Sequence, residues 1–226
     1  VKQKLILLHG ALGSIEQLKA LKGKLAESFD VHSLNFEGHG GLESTNPFSM
    51  DLFAQNVTNY LKANAIESAS FFGYSMGGYV ALNMALKMPE KVNKIYTLGT
   101  KFKWDQASAE VEVKRLNPEK VEEKVPRFAE YLNELHSPQD WKEVMRKTAK
   151  MMLGMADGAR LFDADFEQIK QPVIIGLGSL DQMVSYEESA HVVQLLSNAK
   201  LVKLEGVEHP IDKIARDSLV NYIMTN

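Results

Sequence analysis

The stretch Ala69-Ser70-Phe71-Phe72-Gly73-Tyr74-Ser75-Met76-Gly77-Gly78 decides how the rest of the chain is read. A strand-like run, Ala69 to Phe72, passes through the Gly-Tyr-Ser-Met-Gly-Gly hexapeptide into a helix-like run, Tyr79 to Lys87, with no loop between them. So sharp a strand-to-helix turn forces its turn residue into a strained backbone conformation. Only small neighbours two positions either side let the strand and helix pack closely. Gly73 and Gly77 occupy those positions. The turn lifts the Ser75 hydroxyl clear of the sheet edge. It also aims the Met76 N–H, at the helix N-terminus, toward an oxygen that becomes negative during attack. A glycine-rich turn whose serine merely caps a helix fits the same hexapeptide, so the rest of the chain decides between the two.

Three other segments bear on that choice. Leu5 to Leu8 is a short apolar strand ending in His9-Gly10, and Pro172 to Leu177 is a buried-type strand leading into Gly178-Ser179-Leu180-Asp181. Near the far end, the strand Lys200 to Leu204 is followed by Gly206-Val207-Glu208-His209. Ser75, Asp181 and His209 therefore follow the chain order nucleophile, acid, base. On these residues the chain resembles the α/β-hydrolase fold superfamily over nearly its whole length.

The resemblance implies Ser75 as nucleophile, His209 as general base and then acid, and Asp181 as the carboxylate that orients the imidazole and stabilises its charged form. It also implies an oxyanion hole made by the backbone N–H groups of Ala11 and Met76. Glu187, Glu205, Glu208 and Asp212 lie near the histidine or the acid in sequence, and Asp105 follows the preceding strand. Asp181 is preferred because it sits in a short turn just past the carboxyl end of a strand. The chain departs from the family pattern in three places. The loop after the second strand reads Asn35-Phe36-Glu37-Gly38-His39-Gly40 where the family has Asp-x-Arg-Gly-His-Gly. Glu208 precedes the histidine where Gly is common. Only four residues precede Leu5, leaving no sequence for the two N-terminal strands that many members carry.

Read coarsely, strands and helices alternate. Strands are expected at Leu5 to Leu8, Val31 to Asn35, Ala69 to Phe72, Lys94 to Leu98, Pro172 to Leu177 and Lys200 to Leu204. Helices are expected at Ser14 to Ser28, opened by Ser14-x-x-Gln17, at Met50 to Asn64, at Met76 to Met88 before Pro89, from Ser185 with the capping box Ser185-x-x-Glu188, and at the C-terminus. Short apolar strands separated by amphipathic helices predict an α/β fold, a mostly parallel sheet of about six strands covered on both faces.

The alternation is interrupted at residues 101–165, where no strand pattern occurs and Asn117-Pro118, Pro126 and Ser137-Pro138 each place proline at or near a first helical turn. This segment is expected to be a helical cap on a core made of residues 1–100 and 166–226. Because it leaves the sheet after the fourth strand and re-enters at the fifth, it is expected to sit over the carboxyl ends of the strands, where Ser75 lies. Trp104, Phe128, Trp141, Met145 and Met152 are the cap residues expected to line an acyl pocket, with Leu12 and His39 beside it on the core. Each also has the plainer reading of binding cap to core. Twelve Lys/Arg against eleven Asp/Glu between Lys101 and Arg160 argue against a phosphate cradle and read mostly as solvated helix faces.

The 226 residues, 45% of them hydrophobic, suffice for one domain with an inserted cap, and a net charge of -3 gives no pull toward nucleic acid or anionic membrane. Without cysteine there is no disulfide framework, which fits a cytoplasmic location. The histidines lack metal-ligand spacing and no phosphate-loop pattern follows any strand, so no metal and no cofactor are expected. The partner expected is a small acyl compound. The reading is a serine hydrolase of small carboxylic esters. A lyase or carbon–carbon hydrolase on the same scaffold is the first alternative, although menaquinone-pathway lyases place Arg where this chain has Tyr79. A ligand-binding protein with little catalysis is the other.

Overall fold

A computed structural model describes residues 2–226. Six parallel strands, β1 (Lys4–Leu8), β2 (Asp30–Ser33), β3 (Ala69–Tyr74), β4 (Val92–Leu98), β5 (Val173–Gly178) and β6 (Ala199–Leu204), form one sheet in the order β2-β1-β3-β4-β5-β6. The register runs Leu8 opposite Gly73 and Gly73 opposite Thr97, so the Ser75 turn projects from the middle of the sheet. β1, β3 and β5 are apolar along both faces because helices cover both sides.

One layer holds α1 (Lys19–Leu25) and α10 (Arg216–Met224), which pack over Leu5, Leu7, Phe72 and Tyr96. The other holds α2 (Met50–Ala63), α3 (Met76–Lys87) and α9 (Tyr186–Leu195), over Ile6, Leu8, Phe71 and Ile175. Each fully buried Leu, Ile or Phe stabilises the fold by about 1.5–3 kcal/mol. Every residue of α3 from Met76 to Ala85 is buried, as expected of a helix with sheet on one side and helices on the other. It stops at Lys87 because Pro89 disfavours helical backbone at Met88, which has φ -140°.

Two N-terminal elements differ from the expected bounds. The helix expected from Ser14 to Ser28 is a 3-10 turn, Ile15–Leu18, followed by the shorter α1. Ser14 Oγ accepts from the Glu16 N–H, two residues on, which tightens the first turn. β2 ends at Ser33, because Asn35 turns its amide to the loops, accepting from Ile15 N at 2.8 Å and donating to Gly40 O at 3.2 Å.

Between β4 and β5 lie α4 (Gln106–Arg115), α5 (Pro118–Lys124), α6 (Pro126–His136), α7 (Trp141–Ala156) and α8 (Asp163–Phe166), with no strand among them. α5 and α6 begin at their prolines. Pro138 instead lies in the link before α7, which is capped by Asp140 accepting from Lys142 N. No helix among the described residues is long and apolar enough to cross a membrane.

Candidate active site

Ser75 stands between β3 and α3 with φ 50° and ψ -116°, a conformation costing a non-glycine residue about 1–3 kcal/mol. The neighbours make the turn possible. A Cβ on Gly73 would fall 2.3 Å from Gly78 N, and one on Gly77 would fall 2.4 Å from Leu8 O. Ser75 N donates to Leu98 O at 2.8 Å, and Thr100 Oγ1 donates to Ser75 O at 2.9 Å, so β4 and the residues after it hold the strained turn in place.

His209 comes from the loop after β6. Its Nδ1 is 2.8 Å from Asp181 Oδ2, in the turn after β5. Asp181 Oδ1 accepts from Met183 N at 2.8 Å and Val184 N at 3.0 Å. Burial opposes ionisation of Asp181, but the hydrogen bond and charge of His209, with these two N–H groups, outweigh it and hold the carboxyl below its ordinary range. An ionised Asp181 keeps the proton of the neutral imidazole on Nδ1 and leaves Nε2 as the basic atom.

The other candidate acids lie elsewhere. Glu208 pairs with Lys213 at 2.6 Å and is exposed. Asp105 caps α4 through Ser108 N.

Ser75 and His209 border one small cavity together with Ala11, Met76, Tyr79 and Trp104. Its volume is about 40 Å³, well under the roughly 300 Å³ at which ligand pockets begin. Met50, Met151, Met152 and Met183 close it. The N–H groups of Ala11 and Met76 are not taken up by any other group among the described residues, which leaves two donors beside Ser75. Ala11 follows Gly10, where a Cβ would meet the Tyr74 ring at 2.8 Å.

Of the residues expected to line the pocket, Trp104 and Met152 border the cavity and five do not. Trp141 and Met145 pack with Ala129 and Leu132 in a separate cluster that joins α6 to α7. Phe128 is exposed and stacks on Tyr131. Leu12 packs against the α6–α7 cluster, and its carbonyl accepts from His136 Nε2 at 3.1 Å. His39 is fully buried between Phe48, Phe53, His9 and His136.

Sequence reasoning missed Tyr74, whose hydroxyl reaches His209, and Tyr79, whose hydroxyl accepts from Leu161 N at 2.7 Å. It also missed Lys101 and Glu112 at the cavity. The legible signal for Glu112 is its place one turn from Ala109, the other buried residue of α4. No three acidic or histidine side chains gather in a metal-binding cluster among the described residues.

A sequence model of the alpha/beta hydrolase fold matches residues 4–161. A pimeloyl-[acyl-carrier protein] methyl ester esterase of Pectobacterium carotovorum is 31% identical over 96 residues, 42% of this chain and 36% of that protein. The matched stretch thus spans about a third of that relative's length. Among solved structures, NosK from Streptomyces actuosus superposes with a TM-score of 0.80 at 17% identity, covering 100% of this chain and 99% of that one. A 2-hydroxy-6-oxo-6-phenylhexa-2,4-dienoate hydrolase from Rhodococcus superposes with a TM-score of 0.78 at 19% identity, covering 99% and 90%. These two likenesses bear on the fold alone. With the family's sequence pattern running from β1 through α7 and its sheet carrying Ser75 on the strained turn after β3, the chain belongs to the alpha/beta hydrolase fold family.

Proposed function

We propose that the protein is a serine hydrolase of small carboxylic esters or related acyl compounds, with Ser75 as nucleophile, His209 as base and Asp181 as its orienting acid. The observation that carries this reading is the strained Ser75 on the wall of the same small cavity as a histidine whose Nδ1 is held by a buried carboxylate. The ester-cleaving relative supports the substrate class.

In the first half-reaction Ser75 Oγ attacks the carbonyl carbon while His209 Nε2 takes the hydroxyl proton, and the carbonyl oxygen becomes negative between the Ala11 and Met76 N–H groups. Collapse of the adduct breaks the ester C–O bond, and His209 returns the proton to the leaving alcohol. Water, losing a proton to the same imidazole, then attacks the acyl-serine; the acid departs, and Ser75 recovers its proton. His209 also borders an open groove of about 640 Å³ with Leu180, Gln182 and Pro210. In this reading the alcohol leaves through the groove while the acyl group occupies the enclosed side.

Residues 101–165 serve as the cap. Trp104, Met151 and Met152 close the enclosed cavity from that segment, so an acyl chain enters only when they shift. Methionine suits a wall that must repack around different chains. Nitrophenyl esters of graded acyl length test the proposal. Turnover should pass through a maximum at short chains and vanish in Ser75→Ala. No ester hydrolysis at any length, or full activity in Ser75→Ala, would refute it.

A further inference from the structure

Two charged side chains border the cavity beside Ser75, whose wall is otherwise mostly apolar: Lys101, from the segment after β4, and Glu112, from α4. Their side chains are only 15% and 5% exposed. Removing charges from water is costly, and their mutual attraction offsets the cost only when their remaining donors and acceptors are satisfied. Here they are not. Lys101 Nζ donates to Met183 O at 3.1 Å but stands 3.9 Å from Glu112 Oε1 and 4.0 Å from Glu188 Oε2, beyond hydrogen-bond reach of both.

Glu188 is occupied elsewhere. Its Oε1 accepts from the N–H groups of Phe102 and Lys103, and its Oε2 accepts from that of Ser185. Glu112 Oε2 accepts from Arg115 Nη1 at 3.0 Å, while its Oε1 accepts no hydrogen bond among the described residues. An ammonium carries three donors. Spare donors on Lys101 and a spare acceptor on Glu112 therefore meet at the cavity that holds Ser75.

One oxygen placed between two atoms 3.9 Å apart lies within hydrogen-bond distance of both. The group that fits is neutral, since an anion would sit against Glu112 and Glu188 and a cation against Lys101. It must also accept from one side and donate to the other, and a hydroxyl does both. We infer that Lys101 and Glu112 form a subsite for a hydroxyl on the acyl part of the substrate, so that the protein selects hydroxyacyl esters over their unsubstituted analogues.

The inference rests on the ester-hydrolase reading, and it places the hydroxyl on the acyl side because the pair borders the enclosed cavity and not the open groove. A site built to hydrogen-bond a hydroxyl rejects the analogue lacking it far more strongly than an apolar pocket rejects a missing methylene. The pair would thus act as a specificity device and not only as a fastening between α4 and the core.

The test compares ethyl hexanoate with forms hydroxylated at C2, C3 or the terminal carbon. It uses wild type, Glu112→Gln and the double variant Lys101→Met/Glu112→Leu, which removes both charges together. At one hydroxyl position wild type should favour the hydroxylated ester by at least about tenfold in kcat/KM, and the ratio should fall toward one in both variants. The same esters titrated calorimetrically into Ser75→Ala should show the same preference in binding, whether or not turnover occurs. Fluorophosphonate labelling of Ser75 reports separately on the hydrolase machinery and on whether each variant is folded. A preference below about threefold at every position in both measurements would overturn the inference. So would a wild-type ratio retained by Glu112→Gln and the double variant. Preserved binding preference with an unreactive Ser75 would instead refute the hydrolase reading alone.

Discussion

Tyr74 donates its hydroxyl to the backbone carbonyl of His209 at 3.0 Å, joining the residue just before the nucleophile candidate to the loop that carries the base candidate. Its ring also lies 5.6 Å from the imidazole, centroid to centroid. Burial pushes its phenol well above the ordinary value, so it remains a neutral donor. One side chain thereby ties together two segments 135 residues apart in sequence.

Tyr74→Phe should therefore lower stability by about 1–3 kcal/mol, the cost of leaving the His209 carbonyl without its partner. Turnover should fall on the order of tenfold or more, because small misplacements of a reacting group are costly in rate. Urea unfolding together with ester kinetics checks both. Unchanged turnover in a measurably destabilised variant would show that the hydrogen bond fastens the loop without positioning the base.

Asp181→Asn should keep the fold yet reduce turnover by on the order of 10⁴, since an amide no longer enforces the Nδ1–H tautomer of His209. Glu208→Gln should change turnover little. Its carboxylate is exposed and spent on Lys213, and exposed pairs contribute about 0–1 kcal/mol. Steady-state kinetics on the two variants side by side decides which acid serves the histidine.

Stability should depend on pH through three buried histidines. His9 Nε2 accepts from Phe36 N, and His136 Nδ1 accepts from Gly40 N, so both are held neutral. Burial lowers His9 to about 4, and burial chiefly lowers His39 and His136 as well, with neighbouring histidines adding to the effect at His39. Because the folded values lie below the unfolded one near 6.5, the unfolded chain binds protons first as pH falls. Their contribution is complete above about pH 6.5 and is lost as pH drops toward the folded values. His9 alone accounts for on the order of 3 kcal/mol of that loss by pH 4. Asp181, whose value is lowered, holds its contribution through this window. Urea midpoints at pH 7.5 and pH 5 should differ accordingly, the lower pH giving the lower midpoint.

Trp141→Ala and Met145→Ala should each cost about 2–5 kcal/mol, since both side chains are buried in the α6–α7 cluster. Neither should move the preferred acyl length. Met152→Ala, at the cavity wall, should move it toward longer chains. An acyl-length profile that shifts with Trp141 and not with Met152 would reverse this assignment.

The contrast between these methionines shows what the sequence could convey. β3, the Ser75 turn and α3 were legible because their requirements are local: apolar run, small flanking residues, helix stopped by proline. The approach of Asp181 to His209 was legible from chain order and strand ends. The packing of the helices between β4 and β5 was not legible in the same way, because α7 buries Trp141 and Met145 on one face and Met151 and Met155 on another. Apolar spacing marks both faces as buried without saying which meets the core. Glu112 read as a solvated charge for a related reason, since only the fold brings Lys101 opposite it.

Whether Ser75 is the nucleophile is read by mass spectrometry of the protein after reaction with a fluorophosphonate near neutral pH. Only a serine activated by a neighbouring base should react there. A single adduct should form on Ser75, strongly slowed in His209→Ala. An adduct on another serine, or none on Ser75 in folded protein, would contradict it.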